Sequence, residues 1–333
     1  MLPVTKEDVF DLLLSYTTVM GLGAAMELGL FWLLEEEPQS ARDVARALGI
    51  PGNRAGYLLQ LLETIGLVER RAEGYVSSGT ALAAIVNPYS RDAWAFLASE
   101  ARDRLPAVRD LAVHIREPRS VWEAQGLRPP DYFEQMVADP ERAKRFTRAL
   151  CEIHQELADE LASTVDLTGV RRLLDVGGGS GVVSLAFLRR NPELRAVVID
   201  IPDVCAAGRE IAAQHPENDR VTYLAGDFMS DELPSGFDLV LQCDAGVYRK
   251  DFYQRLRASL NAEGRIVVVD QFAPENGVAN ARRLHWAFLS SMENPEAAFP
   301  TADQAKAELE AAGFGIGSEH TLSDGWMVID AQC

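Results

Sequence analysis

The chain has 333 residues, 47% of them hydrophobic and 25% charged, with 25 Gly and 16 Pro; this is a globular composition that excludes disordered and collagen-like chains, and at about 150 residues per domain it points to two domains. Acidic residues outnumber basic ones 50 to 32, a formal net charge of −18, so the surface repels phosphate backbones and anionic membranes. No uninterrupted apolar run reaches the ~18 residues of a membrane span, and with no basic leader or cleavage site the expectation is a cytoplasmic protein without membrane contact.

Residues 1–100 are expected to form short helices and a small wing. Ser40 reads as the N-cap of a helix that carries Val44, Ala45 and Leu48 on one face and stops at Gly49, before Ile50, Pro51 and Gly52. A second helix over 54–65 turns Leu58, Leu59, Leu61 and Leu62 inward, and residues 66–77 alternate around a turn at Glu73 and Gly74 as a hairpin does. Helix, turn, helix and wing is a winged-helix pattern. A DNA-binding regulator is the distant alternative, but residues 1–85 carry a net charge of −5, the wrong sign for reading DNA. Leu12, Leu13, Leu14, Met20, Leu22, Leu28, Leu30, Phe31 and Trp32 offer more apolar surface than so small a domain buries alone, which predicts a homodimer.

Residues 101–165 read as a helical linker. Helices are expected over 92–111, 131–137 and 140–165, with a break at Arg128, Pro129 and Pro130. From residue 166 onward, apolar and β-branched strands over 171–176, 195–199, 221–224, 237–242 and 265–270 alternate with helices over 182–190, 203–214 and 251–260. Continuous apolar strands between helices predict a parallel sheet covered on both faces. A helix over 302–312 follows, then segments 314–320 and 325–331 flank a turn at Ser323, Asp324 and Gly325, as a closing antiparallel pair would. The four cysteines, Cys151, Cys205, Cys243 and Cys333, are scattered without a C-x-x-C pair, and the five histidines lack ligand spacing; no metal site is expected.

Chemistry is concentrated where the first strand of the sheet, ending in Asp175 and Val176, runs into Gly177, Gly178, Gly179, Ser180 and Gly181 and then a helix. Gly177, Gly179 and Gly181 let backbone approach a ligand, and the helix N-terminus favours a negative group. Such turns serve nucleotide, flavin and sulfonium cofactors alike, or hold no ligand. Asp200 closes the second strand, where a carboxylate can accept both hydroxyls of a ribose. Asp227 and Phe228 follow the third, where an acid beside an aromatic can take an adenine amino group and cover a ring face. A nicotinamide site calls for G-x-G-x-x-G, whereas the spacing here is G-x-G-x-G with Asp175 preceding.

Residues 175–181, the run Asp200-Ile201-Pro202-Asp203-Val204, and Gly226-Asp227-Phe228 resemble the glycine loop, ribose acid and adenine-contacting pair of S-adenosylmethionine-dependent O-methyltransferases. The likeness is to the two-domain class that includes caffeic acid, acetylserotonin and bacterial polyketide O-methyltransferases, and it covers nearly the whole chain. Residues 133–167 resemble the linker helix of those enzymes. The resemblance implies an α/β fold, a Rossmann-like class I methyltransferase domain over 166–333, preceded by the linker over 101–165 and an all-α winged-helix dimerisation domain over 1–100. It implies S-adenosyl-L-methionine as cofactor, a small-molecule substrate and a homodimer, with no nucleic acid, membrane or metal. The implied cofactor contacts are Asp175, Gly177, Gly179, Asp200, Ile201, Asp227 and Phe228, with Gln242 or Cys243 just beyond the fourth strand closing over the adenine. Phe146, Leu150 and His154 lie four apart and share a helix face. By resemblance that face meets the methionine half of the cofactor, which adds Phe146 and His154 to the contacts, although ordinary core packing accounts for Phe146 equally.

One departure matters. In that family the fourth strand is followed by a His-Asp-Trp segment whose histidine deprotonates the acceptor. Here the text is Gln242-Cys243-Asp244-Ala245-Gly246-Val247-Tyr248, and no histidine occurs between His215 and His285. Asp244 and Tyr248 are the nearest substitutes, unless they are plain loop residues, and His285 is a third candidate from the segment after the fifth strand. A general base typically adds ~10²–10⁴-fold, so its absence is tolerable for an acceptor that arrives nucleophilic and is held in line. The expected function is therefore methyl transfer to a small, already nucleophilic molecule of secondary metabolism. Intramolecular cyclisation of the cofactor, releasing methylthioadenosine, is the alternative.

Overall fold

The structure is a computed structural model that describes residues 4–128, 132–274, 281–296 and 299–333. The chain divides into two compact units, residues 1–106 and 107–333. The expected break at Pro129 and Pro130 lies outside the described residues, as does Asp131.

In the first unit, α1 (Lys6–Leu28) starts with a capping box: the Thr5 hydroxyl accepts from the Asp8 amide and the Asp8 carboxylate accepts from the Thr5 amide. It is followed by α2 (Leu30–Glu36), α3 (Ala41–Leu48), α4 (Gly52–Thr64), the hairpin β1 (Val68–Arg70) and β2 (Tyr75–Ser77), and α5 (Arg91–Asp103). Ser40 caps α3 through the Asp43 amide, and Gly49 ends that helix in the left-handed conformation, as its sequence requires. Val44, Leu59 and Leu62 form the unit's core with Ala25, Leu34, Leu30 and Phe31.

Three expectations change in this unit. Leu30 and Phe31 are fully buried in its own core rather than left as surface. The apolar surface lies instead on the N-terminal half of α1, where Phe10, Leu12, Leu13, Leu14, Tyr16 and Val19 are each more than half exposed. Second, α1 is long and apolar enough by length and composition to cross a bilayer, with a mean hydropathy of 1.4. Counting uninterrupted apolar residues missed it because Asp11 and Glu27, with Ser15, Thr17 and Thr18 between them, interrupt the run. Its C-terminal end is anchored in the unit, with Ala25 and Met26 buried and Gly21 against Leu61 of α4. Third, the helix expected over 92–111 stops at Asp103, and a separate turn of helix occupies Leu105–Arg109. Pro106 has no amide to continue the ladder.

The second unit is built on a seven-stranded sheet of order β5-β4-β3-β6-β7-β9-β8. The strands are β3 (Arg172–Val176), β4 (Arg195–Asp200), β5 (Val221–Ala225), β6 (Phe237–Cys243), β7 (Leu260–Asp270), β8 (Gly315–Thr321) and β9 (Met327–Gln332). β3 to β7 pair in parallel, and the last two strands form the antiparallel pair anticipated at the turn Ser323–Gly325. Successive side chains of a strand point to opposite faces. Leu173 accordingly enters one core with Leu239, Val267 and Phe187, while Leu174 enters the other with Val240, Phe252 and Leu309. Both are fully buried, which is why the strands read as unbroken apolar runs.

Besides two single turns at Leu111–His114 and Val121–Ala124, the helices of this unit are α6 (Tyr132–Ala138), α7 (Pro140–Ile153), α8 (Gln155–Thr164), α9 (Val182–Arg190), α10 (Pro202–Ala212), α11 (Lys250–Ser259), α12 (Ala281–Glu293) and α13 (Ala302–Ala311). The single helix expected over 140–165 is two, α7 and α8, meeting at His154. Each half packs on a different partner, α7 on α10 and α8 on α9, so the axis is broken where the two contacts diverge.

Candidate active site

The strand order reverses between β3 and β6, and an open α/β sheet binds ligands outside the carboxyl ends of its strands at such a point. A cavity of about 620 Å³ lies there, inside the range of about 300–1,000 Å³ usual for small-molecule sites. Four strand ends supply its floor: Gly177, Gly179 and Ser180 after β3, Asp200, Ile201 and Val204 after β4, Gly226 to Met229 after β5, and Asp244 to Gly246 after β6. Tyr132 and Phe133 of α6 and Phe146, Thr147 and Leu150 of α7 form its other wall.

The glycine turn is the most constrained part of the floor. Gly177, Gly179 and Gly181 have φ of 68°, 56° and 74°, a region L-residues with a Cβ rarely enter. Gly179 has open space where its Cβ would be, while one on Gly177 would meet Ala245 and Phe228 at 3.4 Å. The Gly179 N–H donates to Asp200 Oδ2 (2.8 Å) and the Ile201 N–H donates to Oδ1 (2.7 Å). Asp200 is only 5% exposed; burial raises its pKa, and these two amides oppose the rise. A buried carboxylate at the edge of a cavity, with one amide on each oxygen, retains lone pairs for a vicinal diol. Glycine backbone, a diol acceptor and an apolar wall fit an adenosine-bearing cofactor.

Most of the residues anticipated from sequence converge here: Gly177, Gly179, Asp200, Ile201, Asp227, Phe228 and Phe146 all line the cavity. Asp227 also shapes its own loop, its carboxylate accepting from the Met229 amide (2.8 Å) and the Ser230 hydroxyl (2.7 Å). Phe146 lines the cavity and packs against Tyr132 with ring centroids 5.4 Å apart.

Four anticipated cofactor contacts stand elsewhere. Asp175 lies beneath the turn, where its carboxylate accepts from the Ser184 hydroxyl (2.6 Å) and fills the space a side chain at Gly178 would need. Gln242 and Cys243 are not beyond the fourth strand but inside it, because β6 runs on to Cys243; the cavity is closed by the next three residues instead. Gln242 is buried and donates from Nε2 to the Val247 carbonyl (2.7 Å), bracing that loop from behind. His154 is not a lining residue; its Nε2 lies 3.7 Å from Asp244 Oδ2, and its ring meets Trp326 edge-on.

Of the three catalytic candidates, only Asp244 lines the cavity. It holds a φ of 54°; its side chain is half exposed at the cavity edge, and the partial loss of solvent there, reinforced by the nearby Asp270, raises its pKa to about 7. Tyr248 donates its hydroxyl to Asp270 and packs on Phe272; burial first, then Asp270, pushes its ionisation far up, so it stays a neutral donor. His285 is exposed on α12, outside the lining residues. Sequence reasoning missed Tyr132, Phe133, Val204 and Met229. Only Tyr132 and Phe133 carried a signal, as adjacent aromatics four turns before Phe146.

Comparison with known proteins agrees with this geometry. A family model for an O-methyltransferase domain matches residues 108–315. The chain is 34% identical to the 3-hydroxy-5-methyl-1-naphthoate 3-O-methyltransferase of Streptomyces sahachiroi over 221 residues, which are 66% of this chain and 62% of that protein. With the N,N-dimethyltransferase OxyT of Streptomyces rimosus it shares 27% identity over 98% of this chain and 97% of that one. The solved structure of PigF with SAH has the same fold, at a TM-score of 0.86 and 18% identity over 99% of this chain and 100% of that one.

The buried Asp175 generates a pH prediction. Burial raises its pKa to about 7, Asp200 adds to the rise and Ser184 opposes it. The folded chain therefore holds a proton that the unfolded chain releases near the ordinary ~4. That contribution to stability is complete below about pH 4 and is lost as pH rises to about 7. Urea unfolding between pH 4.5 and 7.5 should show a shallower fall in stability for Asp175→Asn than for the wild type. An unchanged slope would place the shift elsewhere.

Proposed function

The chain belongs to the O-methyltransferase domain family, and on that premise we propose that it methylates a small, already nucleophilic acceptor and works mainly by positioning. S-adenosyl-L-methionine is the cofactor of this methyltransferase, and when bound it supplies an electrophilic methyl group on a sulfonium.

The observation that carries the proposal is the cavity itself, in which a buried Asp200, a glycine turn without side chains and Phe228 are gathered at adjacent strand ends. Asp200 orients a ribose through its free lone pairs. The turn admits backbone contact, and Phe146 and Phe228 present aromatic faces, which attract a cation. No histidine is among the described residues lining the cavity. Alignment of acceptor and electrophile can supply a large part of the rate, so the residues of α6 and α7 that shape the wall set which acceptor fits. The relatives act on oxygen in one case and on nitrogen in the other. Either atom suits an acceptor that arrives reactive.

Calorimetry on the full chain should show S-adenosylhomocysteine binding and NAD failing to bind, with Asp200→Ala weakening the former by about tenfold or more. NAD binding as well or better would contradict the reading. Mass spectrometry of the cofactor-derived product separates the two chemistries. S-adenosylhomocysteine means methyl transfer, whereas methylthioadenosine formed without an acceptor means cyclisation.

The reading includes a homodimer assembled through the first unit, supported by the exposed apolar surface of α1 from Phe10 to Val19. Light scattering should give about twice the chain mass at micromolar concentration, and Leu13→Asp should reduce it toward one chain. A wild-type monomer would count against the dimer and leave the methyl-transfer proposal untouched.

A further inference from the structure

A carboxyl group held in a left-handed backbone conformation at the cavity edge needs a reason. Asp244 is one of two described non-glycine residues with positive φ. It is pinned there because its amide donates to the Val269 carbonyl (2.9 Å), locking it to the end of β7 immediately after β6 stops. Non-glycine residues kept in such a region cluster at functional sites. Gly246, two residues on, has the same freedom at φ 68° with nothing near its Cβ position, so strain at 244 is not forced by the loop's length alone.

Behind Asp244 stands His154. It lies at the break between α7 and α8, its side chain 17% exposed, with Nε2 3.7 Å from Asp244 Oδ2 and its ring edge-on to Trp326. In the tautomer that carries its proton on Nδ1, the Nε2 lone pair faces that carboxyl group. The neighbouring Asp270 receives the Tyr248 hydroxyl and the Gln271 amide and does not line the cavity.

We propose that Asp244 and His154 together are the proton acceptor of this enzyme, serving an acceptor molecule with an acidic hydroxyl of phenol or enol type. The inference rests on the methyl-transfer reading of the same cavity and adds the group that reading lacks. In the step proposed, the O–H bond of the acceptor breaks and its electron pair stays on the acceptor oxygen. The proton passes to the Asp244 carboxylate and is shared with His154 Nε2, so one negative charge moves from Asp244 to the acceptor. Asp244 is the catalytic residue, because it faces the cavity. His154 acts through it and is a positioning residue.

The groups facing the pair are Cys243, Asp270, Tyr248 and Arg283. Asp270 raises the affinity of Asp244 for a proton and Arg283 lowers it, while burial drives the carboxyl up to about 7 and the imidazole down. Asp244 therefore keeps its proton below about pH 7 and gives it up above, where it becomes competent as a base.

The test uses the full chain without ligand. With ¹⁵N-imidazole histidine labelling, and the His154 signals assigned through His154→Gln, His154 should show the Nδ1–H tautomer and a titration step near neutral pH. Asp244→Asn should abolish that step; asparagine tolerates positive φ, so the backbone is kept. An Nε2–H tautomer, or a step unchanged in Asp244→Asn, overturns the proposal. Calorimetry with S-adenosylhomocysteine supplies a second arm. His154→Gln should bind it within about threefold of wild type, and a loss beyond about tenfold would make His154 a cofactor contact and overturn the proposal. Asp200→Ala run alongside keeps the two readings apart: if it binds like wild type, the cofactor assignment fails while the imidazole titration still decides the pair.

Discussion

The binding half of the molecule depends on how residues 177–181 turn β3 into α9 over a buried carboxyl group. Asp175 occupies the volume under the turn, so position 178 cannot carry a side chain, and the three left-handed glycines follow from the path the backbone must then take. The turn is also tied sideways: the Gly177 amide donates to the Ile199 carbonyl (2.9 Å) and the Gly179 amide to Asp200. From below, Tyr223 donates its hydroxyl to the Ser180 carbonyl (2.7 Å). A Cβ on Gly181 would reach that hydroxyl at 2.5 Å. The carboxyl ends of β3, β4 and β5 are thus held in one arrangement, and Asp200 is aimed by contacts made before any ligand arrives.

The opposite wall is held less rigidly, and that division suits a fold that binds one cofactor and many acceptors. α6 and α7 sit on α10 through Met136, Ala143, Ile201 and Val204, a small cluster separate from the two cores of the sheet. Ion pairs of Lys144 and Arg148 with Glu210 edge the same contact, but exposed pairs contribute only about 0–1 kcal/mol each. The aromatic and apolar residues facing the cavity from α6 and α7 can therefore vary without disturbing the glycine turn.

Much of this was legible in the sequence because the turn chemistry is local. Ser40 and Gly49 mark the ends of α3, the helix Val182–Arg190 has the bounds its pattern suggests, and strand ends with Asp200 and Asp227 identify themselves by position in the alternation. The features that escaped are set by tertiary packing. Nothing in the heptad-like text of residues 140–165 says that its halves rest on different helices, so the break at His154 and the turn of that ring toward Asp244 were invisible. The extent of β6 was underread for a similar reason. Cys243 pairs with Val269 of β7, and a strand continues as long as its neighbour offers bonds. That one residue decides whether Gln242 and Cys243 or Asp244 and Ala245 face the cavity.

The central claim is that the cavity at the ends of β3 to β6 holds the adenosine of the cofactor with Asp200 on its ribose. A crystal structure of the full chain with S-adenosylhomocysteine tests it most directly. It should show both ribose hydroxyls within hydrogen-bonding distance of the Asp200 carboxylate and the adenine beside Phe228. A nucleoside bound elsewhere, for instance in the separate cavity bordered by Gln271, Arg283, Lys306 and Met327, would contradict the account.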